Sequence, residues 1–400
     1  MAESLSKDNP NCLTTEANMR DWSDLQHDLV DFIAEKLSAS VDDCIRLRAV
    51  CKAWRSAALA PRSRALPPQL PWLLLSCDTD SKRLSYFSVS DRKTHSIEIP
   101  AMKEEQCFSV TCNGWLVLEE KAAFAISLLN PITKKLIPLP SSSHHLRSRR
   151  FSCFVFSKGK ERRLARTRLV REMAMSANPA TSADSCTIVV ISVWDSALLS
   201  LGPLDDSWSL MDDSTYYRDV VYYKGRFYAV DYLAEVSIFD SDLKKVASIP
   251  SPRVDNSSHC QLWKFAQVEG ELYVVRTACD GEPETDGFEH HPEYTVTSVD
   301  IFKVMLEGEL LLKKVKNLDG NVLFCGTSGS LWCPAANYPV GKPNSVYIAG
   351  WYGVMRDDDV LAHVRTGVYD LEDHTFRPIS VEEHNCNDLV PSIWHTPSLI

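Results

Sequence analysis

The side chains best suited to chemistry in this 400-residue chain are its 13 cysteines and 11 histidines, and their spacing decides what they can do. No C-x-x-C pair occurs, and the closest spacings are Cys107/Cys112, Cys44/Cys51 and Cys325/Cys333. Structural zinc takes thiolates roughly two to four residues apart, and a disulfide framework uses an even set. An odd, scattered set predicts reduced, mostly buried thiols that pack as small hydrophobes. His290-His291 stands in an acidic loop with Glu289 and Glu293, a composition able to bind a metal weakly or simply to be solvated. Gly326-Thr327-Ser328-Gly329 lacks the spacing of a nucleophile elbow, and no phosphate loop, dinucleotide turn or H-E-x-x-H helix is present. The expectation is a non-enzyme with no cofactor and no metal site.

Charge narrows the partners. The net charge of −10 and pI near 5.6 give no general affinity for nucleic acid. One basic stretch, KGKERRLARTRLVREMAM from Lys158, reads as a nuclear import signal, a phosphate-facing patch or a solvated face. Residues 1–20 are polar, without the apolar run of a secretory signal, and read as a disordered tail. Leu70 to Leu75 is too short to span a bilayer, so no membrane is expected, and Asn256-Ser257-Ser258 is a chance glycosylation match. Nucleus, cytoplasm or both are the expected locations.

Two kinds of element must position whatever this chain binds. Between Trp22 and about residue 60 the apolar residues follow a helical period, with Leu25, Leu29, Ile33 and Leu37 four apart and Phe32 beside them. Ser23-Asp24 reads as the N-cap of that helix. After Ser38 to Asp43, the residues Cys44, Ile45, Leu47, Val50, Cys51 and Trp54 resume the pattern across one or two short helices. PRSRALPPQLP, residues 61–71, holds four prolines and reads as a stiff linker.

From Trp72 to the end the pattern changes to short strands, and one phrase recurs. A Gly turn opens a strand, a second strand ends in Asp or Asn, and a third closes on proline. NGWLVL with AISLLNPITKKLIPLP follows it from Gly114 to Pro140, and KGRFYAV with EVSIFDSDLKKVASIP follows it from Gly225 to Pro250. Each copy is too small to bury its own faces, so stacked blades of a β-propeller are predicted, five to seven in number, with a β-sandwich as the alternative. Trp115, Trp194, Trp208, Trp263, Trp332 and Trp351 are expected to pack between sheets, a minority being available for a partner face. Ser141 to Arg150, Lys158 to Ser185 and Asp280 to Glu293 are expected as exposed loops. No Gly-Gly doublet suits kelch blades, and Trp194-Asp195 is the sole Trp-Asp pair.

DWSDLQHDLVDFIAEKL followed by DDCIRLRAVCKAWRSAAL resembles the F-box of plant F-box proteins, through Trp22, Leu25, Leu29, Ile33, Arg46, Val50, Cys51, Trp54 and Arg55. GWLVL with LLNPITKKLIPLP, RDVVYYKGRFYAVD with VSIFD, GELYVVR, VDIFKV with NLDGNVLFCG, NSVYIAG and the terminal IWHTPS resemble the KIB-type β-propeller, formerly a domain of unknown function. The resemblance implies a mainly β chain in which a small α-helical F-box over residues 21–60 precedes a propeller over residues 72–400. It further implies the substrate-recognition subunit of an SCF (Skp, cullin, F-box) ubiquitin ligase. The adaptor-binding residues would be Trp22, Leu25, Gln26, Leu29, Ile33, Leu37, Val50, Cys51 and Trp54, docking on a Skp-family adaptor and through it on cullin, while the propeller receives a target protein. A ligase-independent scaffold with a divergent F-box is the alternative, because the usual Leu-Pro is here Leu25-Gln26. Proline pre-sets the first helical φ at no hydrogen-bond cost, so Gln26 predicts weaker adaptor binding.

Overall fold

The computed structural model describes residues 22–37, 46–47, 49–58, 70–78, 82–89, 92–100, 106–120, 125–140, 154–157, 160–163, 169–193, 195–254, 258, 260–268, 270–281, 293–326, 330–335, 342–354, 361–379 and 393–396. The chain divides into two compact units, Met1–Gln69 and Leu70–Ile400. The first is helical, with α1 over His27–Leu37 and α2 over Lys52–Ala58.

The second unit is a propeller with six blades among the described residues. Blade 1 takes Trp72–Asp78, Arg83–Ser88 and Lys93–Glu98, and its innermost strand, Ile393–His395, comes from the far end of the chain. Blade 2 runs from Gln106–Cys112 outward to Leu136–Pro138, blade 3 from Val170–Met175 to Ser209–Asp212, and blade 4 from Tyr217–Tyr223 to Lys245–Ile249. Blade 5 uses Cys260–Val268, Glu271–Asp280, Glu293–Met305 and Leu311–Val315. Blade 6 orders Ser330–Pro334, Asn321–Cys325, Ser345–Ile348, Gly367–Asp370 and Thr375–Pro378, and one parallel pair, Gln267↔Leu331, joins it to blade 5. Pairing Ile393–His395 onto Trp72–Leu74 closes the ring, so that the first blade is held by both ends of the propeller chain.

The recurring phrase is explained residue by residue. Asn113-Gly114 and Lys224-Gly225 both hold positive φ, the requirement of the tight hairpin turn that joins the first two strands of blades 2 and 4. The carboxamide of Asn130 accepts from the Ile132 and Thr133 amides at 2.9 Å, and Asp240 accepts from Asp242 at 3.0 Å and Lys244 at 2.9 Å. Each side chain thus folds the next turn onto itself, which is why the second strand of the phrase ends in Asn or Asp.

Apolar clusters fill the gaps between neighbouring blades. Trp115 and Trp208 lie between blades 2 and 3, Tyr217 and Phe239 between 3 and 4, and Trp263 and Phe302 between 4 and 5. Val299 and Tyr369 lie between 5 and 6, and Phe324 and Trp394 between 6 and 1. Trp332 packs against the cluster of blades 5 and 6, so these tryptophans do the packing expected of them; Trp194 and the Trp351 side chain fall outside the described residues.

One loop expectation is corrected. The stretch from Lys158 to Ser185 is not a single exposed insert, because Val170–Met175 is the innermost strand of blade 3 and Lys160–Arg163 pairs with Phe154–Ser157. VREMAM looks charged, yet Val170, Met173, Ala174 and Met175 are buried, and the Glu172 carboxyl is bonded inside the propeller to Lys264. Ser141 to Arg150, the His290-His291 pair, residues 1–20 and most of the proline stretch lie outside the described residues. The propeller unit begins at Leu70, whose side chain packs with Trp394.

Candidate functional site

In the helical unit, Trp22–Asp24 forms a single 3-10 turn and α1 starts three residues later. The N-cap is Gln26 and not Ser23-Asp24, since the Gln26 carbonyl accepts from the Leu29 amide at 3.0 Å and the Val30 amide at 3.1 Å. Asp28 in the first turn and Lys36 in the last oppose the ends of the helix dipole favourably. Val30, Ala34, Leu47 and Trp54 form the core, with Leu25, Ile33, Leu37 and Cys51 packed half-buried around it. The Trp54 indole donates to the Trp22 carbonyl at 3.0 Å, tying α2 to the turn that opens the unit.

The four-residue stripe therefore does not lie on one surface. Within α1 each step of four advances a side chain about 40°, so Leu29, Ile33 and Leu37 wrap from water toward the core, while Leu25 lies ahead of the helix. Leu25, Ile33 and Leu37 turn toward the core, whereas Leu29 is 49% exposed. Phe32, three residues on and sharing that face, is 56% exposed, with the Lys36 ammonium 5.3 Å from its ring. Trp22 at 67% and Val50 at 50% complete a set of large apolar groups left in water. Of the nine residues singled out from sequence, Trp22, Gln26, Leu29 and Val50 are exposed, Leu25, Ile33, Leu37 and Cys51 are half-buried, and Trp54 is core. Phe32 is absent from those nine, although its i, i+3 relation to Leu29 is the signal that places it with them.

The propeller contains a second site. A cavity of about 490 Å³ lies on its axis, and every blade contributes an inner-strand or turn residue to its wall: Thr396, Asn113, Glu172, Asp219, Gln267 and Ser330 from blades 1 to 6 in turn. Beside it, Lys264 of blade 5 is bonded to Glu172 of blade 3 and stands 3.9 Å from Asp219 of blade 4. Asp219 also accepts from the Phe265 amide at 2.7 Å and the Val220 amide at 2.9 Å. All three charged groups are buried. Burial pushes the Glu172 carboxyl up to about 8 against the pull of the Lys264 ammonium, and it raises Asp219 as well. Two carboxyls facing one ammonium are least costly with one of them protonated. The geometry pins three inner strands together. Its signal in the sequence is a charged residue inside an apolar strand, as in QLWKFAQV.

The described cysteine side chains are free thiols, each buried or half-buried. Burial pushes Cys112 and Cys333 up to about 12 and Cys260 and Cys325 up to about 11, far from the thiolate range a nucleophile or ligand needs. Cys51, Cys112, Cys186, Cys260, Cys279, Cys325 and Cys333 are free thiols, and among the described residues no group of three His, Cys, Asp or Glu side chains is placed to hold a metal. Again among the described residues, no helix is long and apolar enough to cross a membrane.

Residues 86–370, from the second strand of blade 1 to blade 6, match the KIB1-4 beta-propeller family profile. The chain belongs to the KIB1-4 β-propeller family. Its curated relatives include three proteins of Arabidopsis thaliana. F-box protein SKIP23 is 26% identical over 389 residues, 88% of this chain and 90% of that one. F-box/kelch-repeat protein At1g57790 is 24% identical over 281 residues, covering 68% and 71%, and F-box protein At2g17036 is 25% identical over 340 residues, covering 80% of each. The KIB1-4 match accounts for the propeller, whereas the SKIP23 likeness extends over more of the chain than the profile does.

Proposed function

We propose that this chain is the substrate-recognition subunit of an SCF ubiquitin ligase, with no catalytic centre of its own. The helical unit docks on a Skp-family adaptor and the propeller receives a protein target. The observation that carries the reading is the set of exposed apolar groups on the helical unit: Trp22, Leu29, Phe32 and Val50 around a core of four buried side chains. A unit of this size exposes large hydrophobes at a cost that a partner's groove offsets. The F-box names of the relatives and the KIB1-4 propeller support the same reading. Action in the nucleus, the cytoplasm or both is part of the proposal.

Co-purification of the full chain with a Skp-family adaptor tests it. Leu29→Asp is expected to abolish capture while leaving the unfolding midpoint unchanged, since Leu29 is half exposed. Equal capture of wild type and Leu29→Asp, or no capture of either, sinks the reading. A ligase-independent scaffold is favoured by one observation, Gln26 at the N-cap. That alternative expects target binding through the propeller with no change in target lifetime.

A further inference from the structure

In blades 3 and 4 the first strand runs toward its first hairpin, so the connection between the two blades and the turns after their second strands gather at the opposite face. On that face, at blades 3 and 4, three segments meet. The Tyr217 amide donates to Ser196 O at 3.0 Å, the Tyr232 amide to Tyr216 O at 3.1 Å, and the Thr215 hydroxyl to Asp231 Oδ2 at 2.9 Å. Residues 195–197, 212–217 and 231–235 therefore form one continuous surface.

Its composition is unusual for this propeller. Tyr216 is 61% exposed, Tyr232 38% and Leu233 50%, and the two rings stand edge to face with centroids 5.9 Å apart. The turn presenting Tyr232 and Leu233 is folded onto Asp231, whose Oδ1 accepts from the Leu233 and Glu235 amides at 2.9 Å, with Ala234 at positive φ. The three segments carry the exposed carboxylates of Asp195 and Asp213 and the half-buried ones of Asp212 and Glu235. Among the cations at these segments, Lys245 reaches Glu235 at 3.8 Å, Arg171 donates to the Val193 carbonyl at 3.4 Å, and Arg218 is drawn electrostatically to the buried Asp231. The Asp212 carboxyl, bonded by Ser214 and by Tyr217 Oη, is held below its ordinary range and stays ionised. Exposed aromatic rings within a surplus of fixed negative charge suit a cation-bearing segment, because lysine and arginine pair with carboxylates and lie over aromatic faces. The same charge repels a second copy of this face and any nucleic acid.

We infer that the Tyr216/Tyr232/Leu233 surface of blades 3 and 4 is where the propeller binds its protein partner, through a basic segment in which lysines or arginines flank an aliphatic or aromatic residue. This deepens the substrate-receptor reading and rests on it, as it names the class of target segment.

The test uses the full chain and an immobilised array of 12-residue peptides that vary independently in basic, acidic and apolar content, with residues 158–169 of this chain as one member. Wild type is expected to select basic-apolar peptides, to lose them as NaCl rises from about 0.05 to about 0.5 M, and to bind them at least tenfold more weakly as Tyr216→Ala/Tyr232→Ala or Asp213→Lys/Glu235→Lys. Circular dichroism checks folding, and the salt dependence of wild type stands even if one variant misfolds. Undiminished binding by both folded variants, preference for acidic peptides, or strongest binding of the chain's own segment overturns the inference. Adaptor capture is measured in parallel. Loss of capture with intact peptide selectivity strikes the ligase reading, and intact capture without selectivity strikes this one.

Discussion

The helical unit and the propeller spend their large apolar residues in opposite ways. In the propeller, Trp115, Trp208, Trp263 and Trp394 are nearly inaccessible, each wedged between adjacent blades. In the helical unit only Val30, Ala34, Leu47 and Trp54 are buried among the described residues, while Trp22, Leu29, Phe32 and Val50 face water. The difference follows from size. A ring of blades supplies sheet faces with neighbours, whereas the short helical segments of the first unit supply one small core and leave a surplus. The buried tryptophans thus report blade packing in the propeller, whereas Trp22 and Phe32 report surface that the small helical core does not cover.

The sharpest way to break that contrast is Trp263→Ala. The side chain is 2% exposed between blades 4 and 5, so its loss is expected to cost about 4 kcal/mol, read as a lowered urea midpoint by circular dichroism. A cost under about 1 kcal/mol would mean that the blades do not depend on interlocking rings, and the contrast with exposed Leu29 would lose its basis.

Next comes Lys264→Met, which leaves Glu172 and Asp219 buried without their ammonium. The expected cost is about 3 kcal/mol at neutral pH, held down because Glu172 can keep its proton. The pH dependence has a definite sign. Glu172 is raised from its ordinary value to about 8, so the native state binds the extra proton between about 4.5 and about 8, and stability falls as pH rises through that window. Glu172→Gln should flatten this limb. An unchanged slope would show that the pin between blades does not titrate.

A smaller effect is expected at the closure of the ring. His395 is fully buried, its ring tilted toward that of Trp72, and neither of its ring nitrogens is hydrogen-bonded. Burial pushes its imidazole down to about 3, so only the unfolded chain takes up this proton as pH falls below about 6.5. Stability is then lost on acidification, by up to about 1.4 kcal/mol per pH unit, and His395→Phe should remove that part of the acid limb. If it does not, the closing strand is already open to solvent.

How much of this is legible in the sequence depends on whether a feature is local or assembled. The Gly-turn, Asn/Asp and Pro phrase is visible because Gly114, Asn130 and Pro140 act within one hairpin unit. The stripe is visible too, but its division is not: which of Leu25, Leu29, Ile33 and Leu37 turns inward depends on where α2 packs. Val170–Met175 reads as part of an exposed insert because Glu172 needs a cation 92 residues away to be buried. The surface at Tyr216 and Tyr232 is hidden for the same reason, as a turn and an interblade connection become neighbours only in the closed ring.

The finest test returns to the helical unit. Gln26 stands at the N-cap, where a glutamine side chain is a poor acceptor for the free amides of the first turn, and short polar side chains serve better. Gln26→Asp should therefore stabilise α1 by about 0.5–1 kcal/mol, the added charge also favouring the positive end of the helix dipole. It adds no apolar contact, so any gain in Skp-family adaptor capture must come from a better-formed helix presenting Leu29 and Phe32. If α1 is stabilised without tighter capture, the helix was already fully formed in the free protein, and the weakness expected from Leu25-Gln26 concerns direct contact at that position instead of helix order.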